Sequence, residues 1–125
     1  MLFRSNGDQT EVFKPSRGLR QGDPLSPYLF LLCAEGLSAL IQKAEQQGTI
    51  HGVRAARGAP PVSHLFFADD SLLFASASPG EGHALKNCLD RYAEASGQRI
   101  NFEKSALSFS ANTDETTRDQ LKDIF

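Results

Sequence analysis

The stretch Leu65–Ala75 is the strongest constraint on the fold of this chain, because two short apolar runs enclose two adjacent aspartates and a serine. The runs Leu65–Ala68 and Leu72–Ala75 have the length and composition of buried β-strands. Their closeness in the sequence predicts a β-hairpin. Asp69 and Asp70 are expected at its tip.

The predicted tip is unfavourable in both conformation and charge. Two-residue hairpin turns favour Asn-Gly or Asp-Gly, which accept a positive φ, and Asp69-Asp70 is neither. Two carboxylates about 5 Å apart repel each other by roughly 3 kcal/mol at an effective dielectric constant near 20. A divalent cation would relieve this repulsion, and carboxylate oxygens are suitable ligands for Mg²⁺. The pair therefore predicts a metal site, although acidic residues also occur in turns because of local hydrogen bonds.

Acidic pairs also end the first strand of phosphoacceptor domains that have a doubly wound sheet. In such a domain a loop and a helix should follow the carboxylates, whereas here the apolar run Leu72–Ala75 follows almost at once. The hairpin context favours a polymerase-like palm over a phosphoacceptor pocket.

Two long amphipathic helices are predicted on either side of the hairpin. Ser26 as N-cap and Pro27 at the first helical position begin one helix, and Gly48 ends it. Ser78–Glu81 is a capping box that begins the other helix, which ends at Gly97. The apolar stripe of the first helix is expected to be core along its whole length: Leu29, Leu32, Cys33, Gly36, Leu37, Leu40, Ile41 and Ala44.

The remaining predicted elements are short. His64 precedes the aspartate hairpin and is expected to be structural or exposed. The pattern predicts an α+β fold in which an antiparallel sheet with the aspartate hairpin is packed by two long helices, in a chain truncated at both ends. The short elements are a hairpin from Met1–Phe3 to Glu11–Phe13 through Asn6-Gly7, strands at Thr49–Val53 and Ala106–Ser110, and a last helix capped by Thr113.

Length and charge narrow the possible functions. A chain of 125 residues fits at most one domain. Its net charge of −2 provides no extended basic surface for nucleic acid, and the densest basic run, Arg4–Arg20, is local. Cys33 and Cys88 are expected to be free thiols in a reducing compartment. No signal peptide or membrane-spanning apolar run is present, so an intracellular chain, cytoplasmic or nuclear, is expected.

Three segments together carry a family resemblance. Residues 18–30 read GLRQGDPLSPYLF, residues 67–70 read FADD, and residues 96–105 read SGQRINFEKS. In this order and spacing they resemble reverse transcriptases of non-LTR retrotransposons, the LINE-type enzymes, over nearly the whole chain. Group II intron and retroviral polymerases also have a Gln-Gly loop and an aspartate hairpin, but the loop differs around it, so they rank second.

The resemblance implies a partial reverse transcriptase domain over residues 1–125, a palm with the end of the fingers and no second domain. Such enzymes are RNA-directed DNA polymerases, nucleotidyltransferases that use an RNA template, a DNA primer and deoxynucleotides. They carry out nucleotidyl transfer with two Mg²⁺ ions. By the same resemblance Asp69 and Asp70 match the catalytic, metal-binding pair, and Lys104 matches a basic residue that could protonate or neutralise the leaving pyrophosphate.

The resemblance also assigns substrate contacts. Arg20, Gln21 and Gly22 match the loop that packs against the templating base and the incoming nucleotide. Phe67 occupies the aromatic position that usually holds tyrosine, so the ring is kept and the hydroxyl is absent.

One feature of the family has no match in this sequence. The third metal-binding aspartate of the family belongs to an upstream Phe-Asp block, and Asp8 and Asp23 are the only aspartates before the hairpin here. The expected function is therefore a fragment of an RNA-directed DNA polymerase that is inactive alone. The alternatives are a non-catalytic nucleic-acid or protein-binding module derived from such a polymerase, or a remnant without a selected role.

Overall fold

The computed structural model describes residues 4–5, 8–9 and 22–125, and within these residues the chain has a small α+β fold with antiparallel strand pairing. The expected fold class is confirmed at this level. The elements in chain order are β1 (Arg4–Ser5), β2 (Asp8–Gln9), α1 (Ser26–Gln46), β3 (His64–Phe67), β4 (Asp70–Leu73), α2 (Pro79–Ser96) and α3 (Glu115–Ile124).

The strands β1 and β2 form the first hairpin. Ser5 pairs with Asp8 and Arg4 pairs with Gln9 in an antiparallel register, which agrees with the predicted hairpin, whereas the predicted turn residues Asn6 and Gly7 lie outside the described residues. The predicted strand segments Met1–Phe3 and Glu11–Phe13 lie outside the described residues.

The start of α1 differs from the prediction, whereas its end agrees. Leu25 rather than Ser26 is the N-cap residue, and its apolar side chain cannot accept a hydrogen bond from the helix amides. Asp23 takes this role: its carboxylate accepts from the Leu25 amide at 2.9 Å, and its carbonyl accepts from the Ser26 amide at 3.1 Å. Because Asp23 already bonds these amides, the helix begins with Ser26 inside the first turn. At the other end Gly48 has a φ of 69°, the left-handed conformation expected of a helix stop.

Only the second half of the α1 stripe is core, which corrects the prediction of a continuous core face. Leu37, Ile41 and Ala44 are buried, and Ile41 is completely inaccessible. In contrast, Leu29 is 45% exposed and Leu32 is 68% exposed. Among the described elements, α1 packs against α2 and β3. Periodicity indicates which face of a helix can be buried, but a partner element decides how much of that face is covered.

The ends of α2 agree with the sequence signals. The Ser78 hydroxyl accepts from the Glu81 amide at 3.3 Å, and Gly97 ends the helix with a φ of 72°. The Glu81 side chain, however, does not return to the Ser78 amide as in a complete capping box. It accepts instead from the Ser76 amide and from the His51 amide, each at 2.9 Å, and so joins α2 to two loops.

The cap of α3 lies one residue later than predicted. Asp114 is the N-cap rather than Thr113, and its carboxylate accepts from the amide and the hydroxyl of Thr117 at 2.9 and 2.7 Å. An ionised carboxylate can accept both bonds at once, which favours Asp114 over a single hydroxyl. α3 lies against α2 at Gly82, where a β-carbon would be 2.5 Å from the Leu121 side chain.

The two predicted single strands are not formed. Thr49–Val53 contributes only one isolated bridge, between Val53 and Val62, although Ile50 is buried in the core at 1% exposure. The segment Ala106–Ser110 has no strand assignment. A strand requires a partner for its backbone groups as well as an apolar pattern, and within the described residues neither segment has a partner along its length.

The hydrophobic core lies where α1, α2 and the loop after α1 meet. Its buried members are Leu37, Ile41, Ala44, Ile50, Leu85 and Cys88. Cys33 and Cys88 are both free, and Cys88 is buried, whereas Cys33, which was predicted to lie in the core, is only half-buried. None of the helices in the described segments is long and apolar enough to cross a membrane.

Candidate functional site

The aspartate hairpin of β3 and β4 is confirmed, and its register corrects the predicted tip. Phe67 pairs with Asp70, so the two-residue turn consists of Ala68 and Asp69. Asp69 therefore lies in the turn, whereas Asp70 is the first residue of β4. The two aspartates are therefore not equivalent, because one is a turn residue and the other belongs to a strand.

The hairpin has a packed face and an exposed face, because paired residues of an antiparallel hairpin point to the same side. Phe66 and Leu73 pack against the core. On the other side Leu65 is 54% exposed, Phe67 is 82% exposed and Leu72 is 61% exposed. The interpretation of both apolar runs as buried strands is therefore wrong for this second face, which has no covering element within the described residues.

The turn contains the one non-glycine residue with a positive φ in the described segments. Ala68 has a φ of 51°, a conformation that is costly for a side chain with a β-carbon and that favours glycine in tight hairpin turns. The conformational strain expected at this tip is present, but it falls on Ala68 rather than on an aspartate.

His64 fastens the hairpin to α1. Its Nε2 lies 2.9 Å from the Ser38 hydroxyl, and its Nδ1 lies 3.0 Å from the Ser63 hydroxyl. Ser38 and Ser63 are buried, at 8% and 4% exposure, and Gln42 donates to the Ser38 hydroxyl at 3.2 Å. Both ring nitrogens thus form hydrogen bonds with buried hydroxyl groups, which agrees with the structural role predicted as one alternative for this histidine.

A cleft of about 320 Å³ opens between the hairpin turn, the middle of α1 and the end of α2. Half of the residues that line it are apolar and half are polar or charged, and the two charged ones are Asp69 and Arg99. The lining residues of α1 and the hairpin are Phe30, Ala34, Leu37, Phe66, Ala68, Asp69 and Ser71, and those at the end of α2 are Tyr92, Gln98 and Arg99. The structure therefore places Asp69 at a cavity, whereas Asp70 shares the exposed face with its partner Phe67.

The two aspartates have the chemistry of a partial Mg²⁺ site. Both are exposed, and neither carboxylate forms an ion pair or a side-chain hydrogen bond with the described residues. Mg²⁺ is commonly held by one or two carboxylates together with waters and substrate phosphates, so this donor set fits the ion. In the described part of the chain, however, no group of three or more potential ligands comes together.

The other predicted site residues lie apart from the cleft or outside the described segments. Gly22 is exposed in the turn before α1, with a φ of 84°. Arg20 and Gln21 are outside the described residues. Lys104 is exposed in the turn 101–104, where its amide donates to the Asn101 carbonyl at 3.1 Å. The substrate roles of these residues and of Phe67 remain predictions.

Sequence reasoning assigned no role to the cleft residues at the end of α2, although Gln98 and Arg99 belong to the motif at residues 96–105. The Tyr92 hydroxyl donates to the Gln98 side-chain oxygen at 3.1 Å. Burial, and next the nearby Cys33 thiol, raise the pKa of Tyr92 despite an opposing bond from Ser96, so the phenol keeps its proton at neutral pH. The signal that could have indicated these residues is Gly97, because a glycine in the left-handed conformation ends the helix and turns the residues after it back across the helix end.

Comparison with known proteins gives a consistent result. Residues 1–121 match the family model described as reverse transcriptase (RNA-dependent DNA polymerase). An uncharacterized mitochondrial protein of Arabidopsis thaliana is 54% identical over 71 residues, which are 57% of this chain and 58% of that protein. No solved structure matches the chain significantly.

Two further relatives are retrovirus-related Pol polyproteins of R2 retrotransposable elements. The polyprotein of the type-2 element R2DM of Drosophila melanogaster is 35% identical over 101 residues, which are 79% of this chain and 9% of the polyprotein. The corresponding protein of a type-1 element of Nasonia vitripennis is 35% identical over 86 residues, 63% of this chain and 8% of the polyprotein. The chain thus spans little more than half of one relative and under a tenth of the others.

These matches confirm the LINE-type resemblance inferred from the loop, the hairpin and the segment after α2. The aspartate hairpin and all the residues that line the cleft lie within residues 1–121, which the family model matches. The chain belongs to the reverse transcriptase (RNA-dependent DNA polymerase) family.

Proposed function

We propose that this chain forms part of the palm of an RNA-directed DNA polymerase and that Asp69 and Asp70 contribute to its divalent metal site. The observation that carries the proposal is the position of Asp69, which is one of the residues that line the cleft and whose carboxylate has no bonding partner among the described residues. The positive φ of Ala68 supports it, because backbone strain is concentrated at functional sites.

In this proposal Asp69 and Asp70 hold Mg²⁺, which when bound activates the primer hydroxyl and stabilises the leaving pyrophosphate. Gly22, with the adjoining Arg20 and Gln21, would border the templating base and the incoming deoxynucleotide. An RNA template and a DNA primer are the corresponding partners. Lys104 would neutralise charge on the leaving group.

We further propose that the 125-residue chain is inactive as a polymerase by itself. Asp69 and Asp70 would supply two of the carboxylates that hold the two Mg²⁺ ions, and the chemistry of these ions would require at least one further carboxylate from another strand. The described residues bring no third carboxylate to Asp69 and Asp70. Since a misplacement of about 1 Å can cost on the order of a hundredfold in rate, a missing ligand should abolish measurable turnover.

Metal binding is tested by adding Mn²⁺ to the chain and following paramagnetic broadening of its amide signals. Broadening should be centred on Ala68, Asp69 and Asp70 and should be lost in Asp69→Asn. The matched control is Asp123→Asn, which removes an exposed carboxylate from α3. Equal broadening in wild type and Asp69→Asn would refute the metal site.

Polymerase activity is tested by primer extension on an RNA template with Mg²⁺. The wild-type chain and the double variant Asp69→Ala, Asp70→Ala should both yield no product. Extension by the wild type that the double variant abolishes would overturn the proposed inactivity, and Asp23 or Asp8 would then be the first candidate for the third ligand.

A further inference from the structure

The cleft beside the aspartate hairpin contains one positive group that the sequence motifs do not assign. Asp69, in the hairpin turn, and Arg99, in the segment after α2, are both among the residues that line this cavity. Neither side chain forms a hydrogen bond or an ion pair with any residue in the described ranges. Two residues of opposite charge thus line one cleft and remain available to a ligand.

The backbone that leads to Arg99 is held in place by local contacts. The Gly97 amide donates to the Ala93 carbonyl at 3.0 Å, which closes the end of α2. The Gln98 amide then donates to the Ser96 hydroxyl at 3.1 Å, and the Gln98 side chain accepts from Tyr92. Because both parts of Gln98 are bonded, the direction in which the chain enters Arg99 is defined.

A ligand that combines a cation with an anion satisfies both groups. A carboxylate binds a divalent metal, and the planar guanidinium binds phosphate oxygens in a bidentate manner. The volume of about 320 Å³ lies at the lower end of the range of ligand pockets, roughly 300–1,000 Å³. This size suits a chain of phosphate groups better than a whole nucleotide.

We propose that Arg99 contacts the phosphate groups of the metal-bound nucleotide or pyrophosphate, in addition to the role predicted for Lys104. This inference rests on the proposed metal site at Asp69. It makes Arg99 a substrate-binding residue that responds to metal-bound phosphate rather than to the metal alone.

A direct ion pair between Arg99 and Asp69 is the competing explanation for the two charges in the cleft. Such a pair would neutralise Asp69 and oppose metal binding. Removal of Arg99 would then strengthen the binding of Mn²⁺ and leave the affinity for phosphate unchanged, which is the opposite of the effect expected for a phosphate contact.

The test uses the complete 125-residue chain, Mn²⁺ as the metal and inorganic pyrophosphate as the anion. Affinities for Mn²⁺ alone and for the Mn²⁺–pyrophosphate complex are measured by calorimetry and by amide broadening. Arg99→Gln should weaken binding of the complex by about tenfold to a hundredfold, the range for a lost charge-assisted hydrogen bond, with little change for Mn²⁺ alone. Arg99→Lys, which keeps the charge but not the planar fork, should be intermediate.

The matched control is Arg91→Gln, which removes an exposed arginine of α2 that does not line the cleft. It should bind the complex as the wild type does. Mn²⁺ binding that depends on Asp69, with equal pyrophosphate affinity in wild type and Arg99→Gln, would refute the role of Arg99 while leaving the metal site intact. Absence of Mn²⁺ binding to the wild type would refute the metal site and this inference with it.

Discussion

The two sides of this molecule use the same kinds of residue with different results. On the packed side, defined as the core cluster and the side chains in contact with it, Ile41, Ile50 and Leu85 are buried. On the open side, defined as the first half of α1 and the exposed face of the hairpin, large apolar side chains remain accessible. The open side consists of Leu25, Tyr28, Leu29, Leu31, Leu32, Leu65, Phe67 and Leu72.

The difference shows that apolar content does not decide burial. Phe66 and Phe67 are adjacent and identical, yet Phe66 packs against the core and Phe67 is 82% exposed. Alternation along a strand sends neighbouring side chains to opposite faces, and the described residues cover only one of these faces. The stability of the chain should therefore depend on the packed side, whereas the proposed chemistry lies at the edge of the open side.

The largest expected change in the free energy of unfolding is in α1, because the packed side and the open side meet within this helix. Ile41→Ala removes a completely buried side chain and should lower the free energy of unfolding by about 3 kcal/mol, since large-to-small core substitutions cost about 2–5 kcal/mol. Leu32→Ala, at a position that is 68% exposed, should change it by less than about 0.5 kcal/mol. Urea unfolding monitored by circular dichroism measures both. Similar losses for the two variants would contradict the division of α1.

The next largest change in stability distinguishes the packed face of the hairpin from its exposed face. Phe66→Ala should destabilise the chain by about 2 kcal/mol, below the usual range for fully buried phenylalanine because Phe66 is half-buried. Phe67→Ala should be nearly neutral for unfolding. Chemical denaturation of both variants provides the comparison, and a larger loss for Phe67→Ala would show that the exposed face is covered in solution.

A smaller effect is expected where Glu81 joins α2 to two loops. Burial raises the pKa of Glu81, but hydrogen bonds from His51 and Ser76 outweigh it, so the pKa lies below its ordinary value of 4.5. A depressed pKa means that this stabilisation is present above pH 4.5 and is lost as the pH falls through the lower, folded-state value. Glu81→Gln should therefore cost about 1 kcal/mol at pH 7, and the difference from wild type should shrink as the pH falls below 4.5.

The control for Glu81 is Glu94→Gln, which changes an exposed glutamate of α2 that has no bonding partner in the described part of the chain. Thermal unfolding from pH 7 to pH 3 should show the pH-dependent difference for the first variant only. A constant difference over this range would exclude the ionised carboxylate as its source.

The smallest expected effect concerns strain at the hairpin turn. Ala68→Gly should stabilise the chain by about 0.5 kcal/mol, because glycine accepts the positive φ but loses more conformational entropy on folding. Ala95→Gly, within α2, should have the opposite sign and cost about 1 kcal/mol. Differential scanning calorimetry distinguishes the stabilising substitution from the destabilising one. A loss of stability in Ala68→Gly would contradict a strained turn.

Local signals in the sequence determined several elements by themselves. The stops at Gly48 and Gly97, the Ser78 cap and the existence of the aspartate hairpin were predicted and are confirmed. The family was also predicted from contiguous motifs and is confirmed. These features depend on residues a few positions apart, whose conformational preferences act without the rest of the chain.

The tertiary structure alone decided which apolar faces are covered and which charged residues line the same cleft. It leaves Leu32 exposed although the stripe is continuous, and it places Asp69 and Arg99, thirty positions apart in the sequence, in the lining of one cleft. Burial and charge proximity depend on partners that are distant in the chain, and a pattern within one segment contains no information about the position of another. The physical reason is that the periodicity of apolar residues determines which face of an element can be buried, whereas the packing of the whole chain determines which other element covers that face.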